Sequence, residues 1–328
     1  MAQSAARHDV DKTPSTVRPQ DGLEPVLALC AQLHSYAARL DVLRAPDRED
    51  GNGPSAHQRP ESFGLWRGLA ETAWQASSAP PRWYHPLDPI YAELDEIIAV
   101  APQPLALAVL KHPRIAAIMP SLHGLRAAFE QDKEAALARA LLAATDARDR
   151  LKALLAQEAY WAFSPEIRRA LAGSRRVLVA GSGPLPLTGL GIAAGLGAQV
   201  TCLDRDPEAV ELGERLIAVS DQAPRMRSLK GDVKELGDLG DYDAVVGAVL
   251  LGVDTKPQGS SRRTEIARHM ILRMRPEARL VLRDPHGLGR LLYPALSESA
   301  LRGFDLRRWV PTPGTDPSYR VSVLRLRR

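Results

Sequence analysis

The sequence predicts an α/β protein in which a mostly parallel sheet, closed by an antiparallel hairpin, follows a helical unit. Three observations carry this. From Ser174 onward, short apolar runs of β character (RRVLVAGSG, VTCLDRDP, MRSLKGDV, YDAVVGAVLLG and ARLVLRDPHG) alternate with helical text such as DPEAVELGERLIAVS. That alternation spells βαβ units, with parallel strands and helices on both faces. The first run opens directly into a glycine-rich turn, and the second ends in acids. Upstream, the stretch between Ser121 and Ala159 is the longest run of Ala, Leu, Glu, Lys and Arg in the chain and contains no proline, which makes it strongly helical. A length of 328 residues suits two packed units or one large α/β domain.

Taken in order, residues 1–20 read as a disordered polar tail. They lack an apolar segment and carry Asp9 and Asp11, so neither a secretory signal nor a transit peptide is expected. VLALCAQLHSYAARLDVL repeats apolar residues at three- and four-residue steps and stops at Ala45-Pro46, as an amphipathic helix does. RAPDREDGNGPSAHQRPES gathers Pro, Gly and charge and reads as an exposed loop. Pro80, Pro81, Pro86, Pro89, Pro102 and Pro104 then divide the next region into several short helices. The five strands follow, the third short and weaker than the others. FDLRRWVPTPGTDPSYRVSVLRLRR gives two alternating segments around a Pro/Gly turn, a terminal hairpin. The expected organisation is a tail over 1–20, a helical lid domain over 21–170 and a ligand-binding sheet domain over 171–328. Its architecture is a class I methyltransferase-like Rossmann sheet with a C-terminal antiparallel hairpin.

Composition removes several classes. Forty-three Lys plus Arg against thirty-nine Asp plus Glu leave a net charge of +4. The basic residues are interleaved with acids, so no nucleic-acid partner is expected. No apolar run reaches the eighteen residues of a membrane span, and no membrane partner is expected either. Cys30 and Cys202 are far apart and match no metal spacing. They read as buried thiols of a reducing cytoplasm. The eight histidines show no ligand spacing, so no metal is expected. A small-molecule substrate is the expected partner, with a homodimer as a candidate assembly.

The turn Gly181-Ser182-Gly183-Pro184-Leu185-Pro186-Leu187-Thr188 leaves the first strand and opens a helix. A dinucleotide fingerprint would place a third glycine at position 186, where the backbone approaches a pyrophosphate. Pro186 stands there and has no N–H to offer a phosphate, so a nicotinamide dinucleotide is disfavoured. A P-loop is excluded because no Gly-Lys-Ser/Thr follows. A ligand without phosphates fits better. S-adenosylmethionine needs a close backbone approach to its amino-acid and ribose portions, and an acid at the end of the second strand for the ribose hydroxyls. Asp204 occupies that place, with Asp206 two residues on as the better helix N-cap. Gly231-Asp232 after the third strand suits the adenine side, and Gly247 and Ala248 end the fourth strand. The cofactor-binding candidates are therefore Gly181, Ser182, Gly183, Pro184, Leu185, Pro186, Thr188, Asp204, Asp206, Gly231, Asp232, Gly247 and Ala248.

With VAGSGPLPLTG, LDRDP, YDAVVGAVLLGVD, LRDPHGLGRLLYP and LRGF in that order, the sequence resembles the nicotianamine synthase family. The group includes bacterial aminobutanoyltransferases that build metallophores and, in closely related chemistry, enzymes that form azetidine-2-carboxylate. The resemblance covers roughly residues 25–45 and 120–328. It implies an S-adenosylmethionine-consuming transferase in which an amine nitrogen attacks the γ-carbon of the aminocarboxypropyl arm and releases methylthioadenosine. All three carbons on the sulfonium are activated by the same charge, so geometry alone selects among them. The nitrogen comes either from an amino-acid acceptor, giving a nicotianamine or opine-type metallophore backbone, or from the cofactor's own α-amine, closing an azetidine ring.

An amine attacks only when neutral, and a carboxylate in a partly desolvated pocket suits the proton transfer. By resemblance, Phe129-Glu130-Gln131-Asp132-Lys133-Glu134 places Glu130 at the family's glutamate, and Glu134 lies one turn further on the same helix face. The bland reading is a solvated face with Glu130 paired to Lys133. Tyr160, Trp161 and Phe163 parallel an aromatic stretch that in the family ends in a functional Tyr. The resemblance places Phe163 or Ser164 at that position, with Tyr160 as a substitute, a departure from the family pattern at the acceptor side. Arg283, His286, Arg290 and Tyr293 follow the fifth strand, where Arg283 or Arg290 could hold a substrate carboxylate. Arg262 and Arg263 read as a solvated helix start. The competing readings are a conventional small-molecule N-methyltransferase with a helical lid and a catalytically silent binding protein on the same fold.

Overall fold

The computed structural model describes residues 22–43, 85, 87–156, 165–248, 253, 262–309 and 319–326. Among the described residues six helices precede the sheet: α1 (Leu23–Leu43), α2 (Asp88–Val100), α3 (Gln103–Lys111), α4 (Pro113–Ala143), α5 (Ala147–Leu155) and α6 (Pro165–Leu171). The prolines divide this region as their chemistry dictates. Pro89, Pro104 and Pro113 each sit in a first helical turn, where the missing N–H costs nothing and the fixed φ helps.

Helix α4 departs from the expected bounds at both ends. It begins at Pro113 and runs through Pro120. The proline forfeits one hydrogen bond, but Ile115 and Leu122 on either side are buried and hold the helix together. At the other end the uninterrupted helical text breaks at Ala144, whose ψ of 138° is extended, and restarts as α5. The break turns Leu151 and Leu154 back onto the sheet core, where both are buried.

The sheet has seven strands: β1 (Arg176–Ala180), β2 (Gln199–Asp204), β3 (Met226–Lys230), β4 (Ala244–Gly247), β5 (Arg279–Pro285), β6 (Phe304–Trp309) and β7 (Tyr319–Leu326). Helices α7 (Leu187–Leu196), α8 (Pro207–Val219) and α9 (Arg263–Ile271) lie between them. The spatial order is β3-β2-β1-β4-β5-β7-β6. The first five strands pair in parallel, and β7 runs antiparallel to both β5 and β6. This is the expected doubly wound sheet with its terminal hairpin. Strand order reverses between β1 and β4, which opens the crevice where ligands bind in such sheets. Ala180 pairs with both Leu203 and Gly247, so the carboxyl ends of β1, β2 and β4 form one level rim.

Alternate strand residues fill two cores, as the pleat requires. Val177, Val179, Val246 and Val281 pack with α7, α8 and the end of α4, while Leu178, Val245, Leu280 and Leu282 pack under α9. A third core belongs to the helices: Leu33, Tyr91, Leu94, Leu122 and Phe129 close over Leu288, Leu291, Leu292 and Tyr293. Helix α4 is the strut between two of them. At 31 residues it is about 46 Å long at 1.5 Å per residue. Its first half buries Ile115, Leu122, Leu125 and Phe129 in the helical core, and its last turns bury Leu137, Ala138 and Leu141 in the sheet core. The polar residues Arg126, Glu130, Lys133 and Glu134 fall at the junction.

Candidate functional site

The glycine turn is built by local necessity. Gly181 and Gly183 have φ of 73° and 67°, left-handed conformations that only glycine adopts without strain. The N–H groups of Gly181 and Ser182 donate to the Leu203 carbonyl at 2.9 and 3.1 Å, binding the turn to the end of β2. Asp204 completes the clamp: one oxygen accepts from the Gly183 N–H at 2.8 Å, the other from the Asp206 N–H at 3.0 Å. Asp206 is the N-cap of α8, accepting from the Glu208 N–H at 3.0 Å ahead of Pro207. Pro184, Leu185 and Pro186 are buried beneath the turn, and Thr188 is half-buried in the first turn of α7. Close helix–strand packing, which a third glycine would serve in a dinucleotide site, falls to Gly189 instead. A Cβ there would lie 2.6 Å from the Cys202 Sγ.

The remaining cofactor candidates share the same rim. The Gly231 N–H donates to the Asp204 carbonyl at 2.9 Å, and Asp232 accepts from the Lys234 N–H at 2.9 Å. Gly247 ends β4, and the Ala248 N–H donates to the Ala180 carbonyl at 3.1 Å.

Helix α4 delivers acids to this rim. Glu130 is buried and belongs to a network: Arg126 Nε donates to its carboxylate at 2.8 Å and to the Tyr293 hydroxyl at 2.8 Å, and the Tyr293 hydroxyl donates to the same Glu130 oxygen. Asp95 of α2 lies 3.4 Å from Arg126. Burial opposes a charge on Arg126, but Asp95, Tyr293 and Glu130 outweigh it and hold the guanidinium firmly cationic. Its ζ-carbon also lies 4.6 Å from the Tyr91 ring centre, a cation–π contact. Burial, partly offset by Arg126, keeps the Tyr293 phenol well above its ordinary pKa, so it remains a donor.

Glu134 sits one turn on, half-buried, with its carboxylate against Gly183. Burial, then the negative charges of Glu130 and Asp204, push it well above the usual carboxylate range, with Arg283 pulling the other way. Lys133 turns elsewhere, forming a buried ion pair with Asp88 at 2.8 Å. The pairing of Glu130 with Lys133 on a solvated face is therefore corrected: Glu130 pairs inward with Arg126, and Lys133 pairs with α2.

A family model described as nicotianamine synthase protein matches residues 86–323. The chain belongs to the nicotianamine synthase family. Over 137 residues it is 35% identical to nicotianamine synthase of Solanum lycopersicum, covering 40% of this chain and 41% of that protein. It is 34% identical to nicotianamine synthase 9 of Hordeum vulgare over 137 residues, 40% of this chain and 39% of that one. The aligned segment thus spans about two-fifths of the curated relatives it matches. The crystal structure of MtNAS in complex with MTA and tNA shares the fold, with a TM-score of 0.62 over 92% of this chain and 98% of that chain at 15% identity. A glutamate-to-glutamine mutant of MtNAS in complex with S-adenosylmethionine superposes with a TM-score of 0.58, covering 81% of this chain and 99% of that chain at 17% identity.

In this nicotianamine synthase family member the other sequence candidates divide. Arg283 is half-buried and lays its guanidinium 3.5 Å from the centre of the Tyr319 ring, within electrostatic reach of Glu134. His286 is half-buried, and burial together with Arg320 lowers its pKa against the pull of Asp284. Arg290 is exposed, and its carbonyl is paired with His123 Nε2 at 3.1 Å. Tyr160, Trp161 and Phe163 lie outside the described residues.

The solvated reading of the Arg262–Arg263 pair is corrected by half. Arg262 is exposed, but Arg263 is 0% exposed and donates to the carbonyls of Ala248, at 2.9 Å, and Arg283. It joins the ends of β4 and β5, and burial lowers its pKa to about 10. Burial raises both Cys30 and Cys202 to about 12, which leaves them as inert thiols. Sequence reasoning missed Arg126, Asp95 and Asp284. The i,i+4 spacing of Arg126 and Glu130 was the available signal for the first. Asp284, 0% exposed, accepts from Leu296 N–H and Ser322 Oγ at 3.1 Å each and from Arg320 Nε at 3.0 Å, which fixes the hairpin to β5.

Proposed function

We propose that this protein consumes S-adenosylmethionine: an amine nitrogen attacks the γ-carbon of the aminocarboxypropyl arm and methylthioadenosine leaves. The observation that carries this reading is the placement of Glu134 against Gly183 in the glycine turn, within electrostatic reach of Asp204 and Glu130. Acids gathered at the rim draw a ligand that carries both a sulfonium and an ammonium. Asp204 still has acceptor capacity for the ribose hydroxyls after its two backbone bonds. Family membership supports aminocarboxypropyl chemistry in place of methyl transfer. The helical unit, joined to the sheet rim through α4, would close over the arm and hold nitrogen and carbon in near-attack contact.

Between the two versions of the chemistry, ring closure to azetidine-2-carboxylate is favoured over transfer to a separate amino acid. A second amino acid brings a second carboxylate, which needs its own cation. Among the described residues, the buried cations at the junction are already committed, Arg126 to Glu130, Tyr293 and Asp95 and Lys133 to Asp88. Arg283 remains the candidate partner for the carboxylate of the cofactor itself.

Incubating the protein with S-adenosylmethionine alone and weighing the products tests this. Methylthioadenosine with azetidine-2-carboxylate is the expected pair. Methylthioadenosine appearing only after an amino acid is added would move the reading to intermolecular transfer and a metallophore backbone. S-adenosylhomocysteine in the presence of an acceptor would identify a methyltransferase, and no nucleoside product a binding protein. Either of these last two results overturns the proposal.

A further inference from the structure

We infer that the amino end of the sheet carries a second binding site, for a small molecule bearing a phosphate group, at the opposite end of the strands from the glycine turn.

The sheet's topology opens the site. Val200 and Cys202 of β2 pack in the core beneath α7 and α8, whereas Leu203 packs with Leu178, Val245 and Leu280 under α9. Thr201, by strand alternation, faces the α9 side. Arg227 of β3 is paired with Thr201 and shares that face. A parallel sheet is ordinarily covered on both faces by its crossover helices. Residues 231–243, which join β3 to β4, form no helix. The α9-side face of edge strand β3 is consequently left open, and Leu229, two residues beyond Arg227, is 39% exposed. A hollow of about 420 Å³ remains at the starts of β1, β2 and β3, a volume in the range of small-molecule sites.

Its walls are cationic. Arg176, Arg225 and Arg227 line the hollow together with Gln199, Thr201 and Tyr242, and no acid is among its lining residues. Among the described residues neither Arg225 nor Arg227 makes an ion pair. Arg176 lies 3.4 Å from Asp241, but both side chains are exposed, and a pair of that kind is readily exchanged for a ligand. The other nearby acid, Asp243, is spent on the backbone N–H groups of Arg175 and Arg176 and on Arg275.

Arg227 is also held in position. Its Nε donates to Thr201 Oγ1 at 3.1 Å. Thr201 is buried on a face that otherwise presents Leu178, Leu203 and Val245, so its hydroxyl is a polar group in an apolar row whose partner is this guanidinium. With Nε engaged, the two terminal nitrogens of Arg227 remain to grip an oxyanion. Three guanidinium groups with no facing acid suit a group that carries close to two negative charges at neutral pH, as a phosphate monoester does. One carboxylate would leave most of that charge unmatched. The hollow is larger than a bare phosphate, and Gln199 and Tyr242 offer hydrogen bonds to the organic part. From Gln199 to Asp204, β2 spans about 17 Å at 3.3 Å per residue, so this site and the glycine turn can be filled together.

Titration calorimetry at low salt tests the site, with ribose 5-phosphate and uridine monophosphate as the phosphate esters and citrate as a phosphate-free anion. At least one ester should bind, citrate at least tenfold more weakly. Saturating S-adenosylmethionine should change the ester's affinity less than threefold. Arg225→Gln and Arg227→Gln, both exposed and expected to melt with the wild type, should each weaken binding at least tenfold. Thr201→Val should weaken it severalfold by releasing Arg227. The control is Arg307→Gln, in a separate arginine-lined hollow beside Arg169, Arg279 and Arg325, which should bind as the wild type does. The sugar phosphate and the nucleotide differ only in what the organic part contributes, and a preference for either supports the site. The inference is overturned if neither ester binds, if citrate binds as well as they do, or if S-adenosylmethionine displaces them. It is equally overturned if Arg307→Gln weakens binding as much as Arg227→Gln, since the attraction would then be that of a diffuse positive surface.

Discussion

The Glu134 carboxylate and Gly183 are so close that a Cβ on the glycine would collide with the acid's Oε2. One residue comes from the helix that links the two cores, the other from the turn at the end of β1. Their contact brings an acid from the helical unit to the ligand crevice of the sheet.

That contact makes Gly183→Ala a sharp probe. The substitution strains a backbone at φ 67° and drives Glu134 off the turn. S-adenosylmethionine affinity should fall at least tenfold and turnover should fall further, while the far-UV spectrum of the sheet is unchanged. Gly197, also at positive φ (63°) but with open space around its Cβ position, is the control. Gly197→Ala should cost stability and leave affinity alone.

Stability should depend on pH through Glu134 with a definite sign. Its folded pKa is raised, so the native state binds that proton more tightly than the unfolded chain does. The resulting stabilisation is full below the ordinary glutamate value, about 4.3, and is lost as pH rises through the raised folded value. Glu134→Gln removes the loss. The variant should therefore melt above the wild type at neutral and alkaline pH and converge with it in acid, as read by thermal denaturation across that range. A variant that melts below wild type at neutral pH would show that the carboxylate is stabilised by a partner.

Much of the sheet was legible because central parallel strands are buried on both faces and read as apolar runs: RVLVA in β1, AVVG in β4 and RLVLRDP in β5. β3 was faint for a physical reason. It is an edge strand, and of MRSLK only Met226 is fully buried. The glycine turn and Asp204 were legible because short-range backbone demands fix both. The Arg126 network was not, since Tyr293 lies 167 residues from Arg126 in the chain and no local period reports that meeting. Lys133 is buried in an ion pair with Asp88, which arrives from another helix. Arg262 and Arg263 look alike in sequence, yet neighbouring side chains on a helix point about 100° apart, and only one of them turns inward.

Gly189 should resist enlargement. A Cβ there would meet Cys202 Sγ at 2.6 Å and Met226 Cε at 3.1 Å. Gly189→Ala should therefore destabilise the protein by about 1–3 kcal/mol, as overpacking does, in urea unfolding. Adding Cys202→Ala removes the nearer obstacle, so the double variant should lose less stability than the two single changes summed. Additive losses would show that the helix shifts away from β2 without meeting the sulfur.

The Arg126 network separates removal of a charge from removal of a hydroxyl. Arg126→Met keeps much of the volume among Tyr91, Phe129 and Tyr293 but leaves Glu130 buried without its cation. Stranding a buried charge costs about 3–5 kcal/mol. Tyr293→Phe removes a donor to Glu130 and an acceptor for Arg126 while the Arg126–Glu130 pair survives, and a hydrogen bond to a charged group contributes about 1.5–3 kcal/mol. The arginine variant should therefore be the less stable of the two in urea unfolding at pH 7. If Tyr293→Phe proves as damaging as Arg126→Met, the phenol and not the guanidinium is the main anchor of Glu130, and α4 is held to the sheet rim chiefly by a neutral donor.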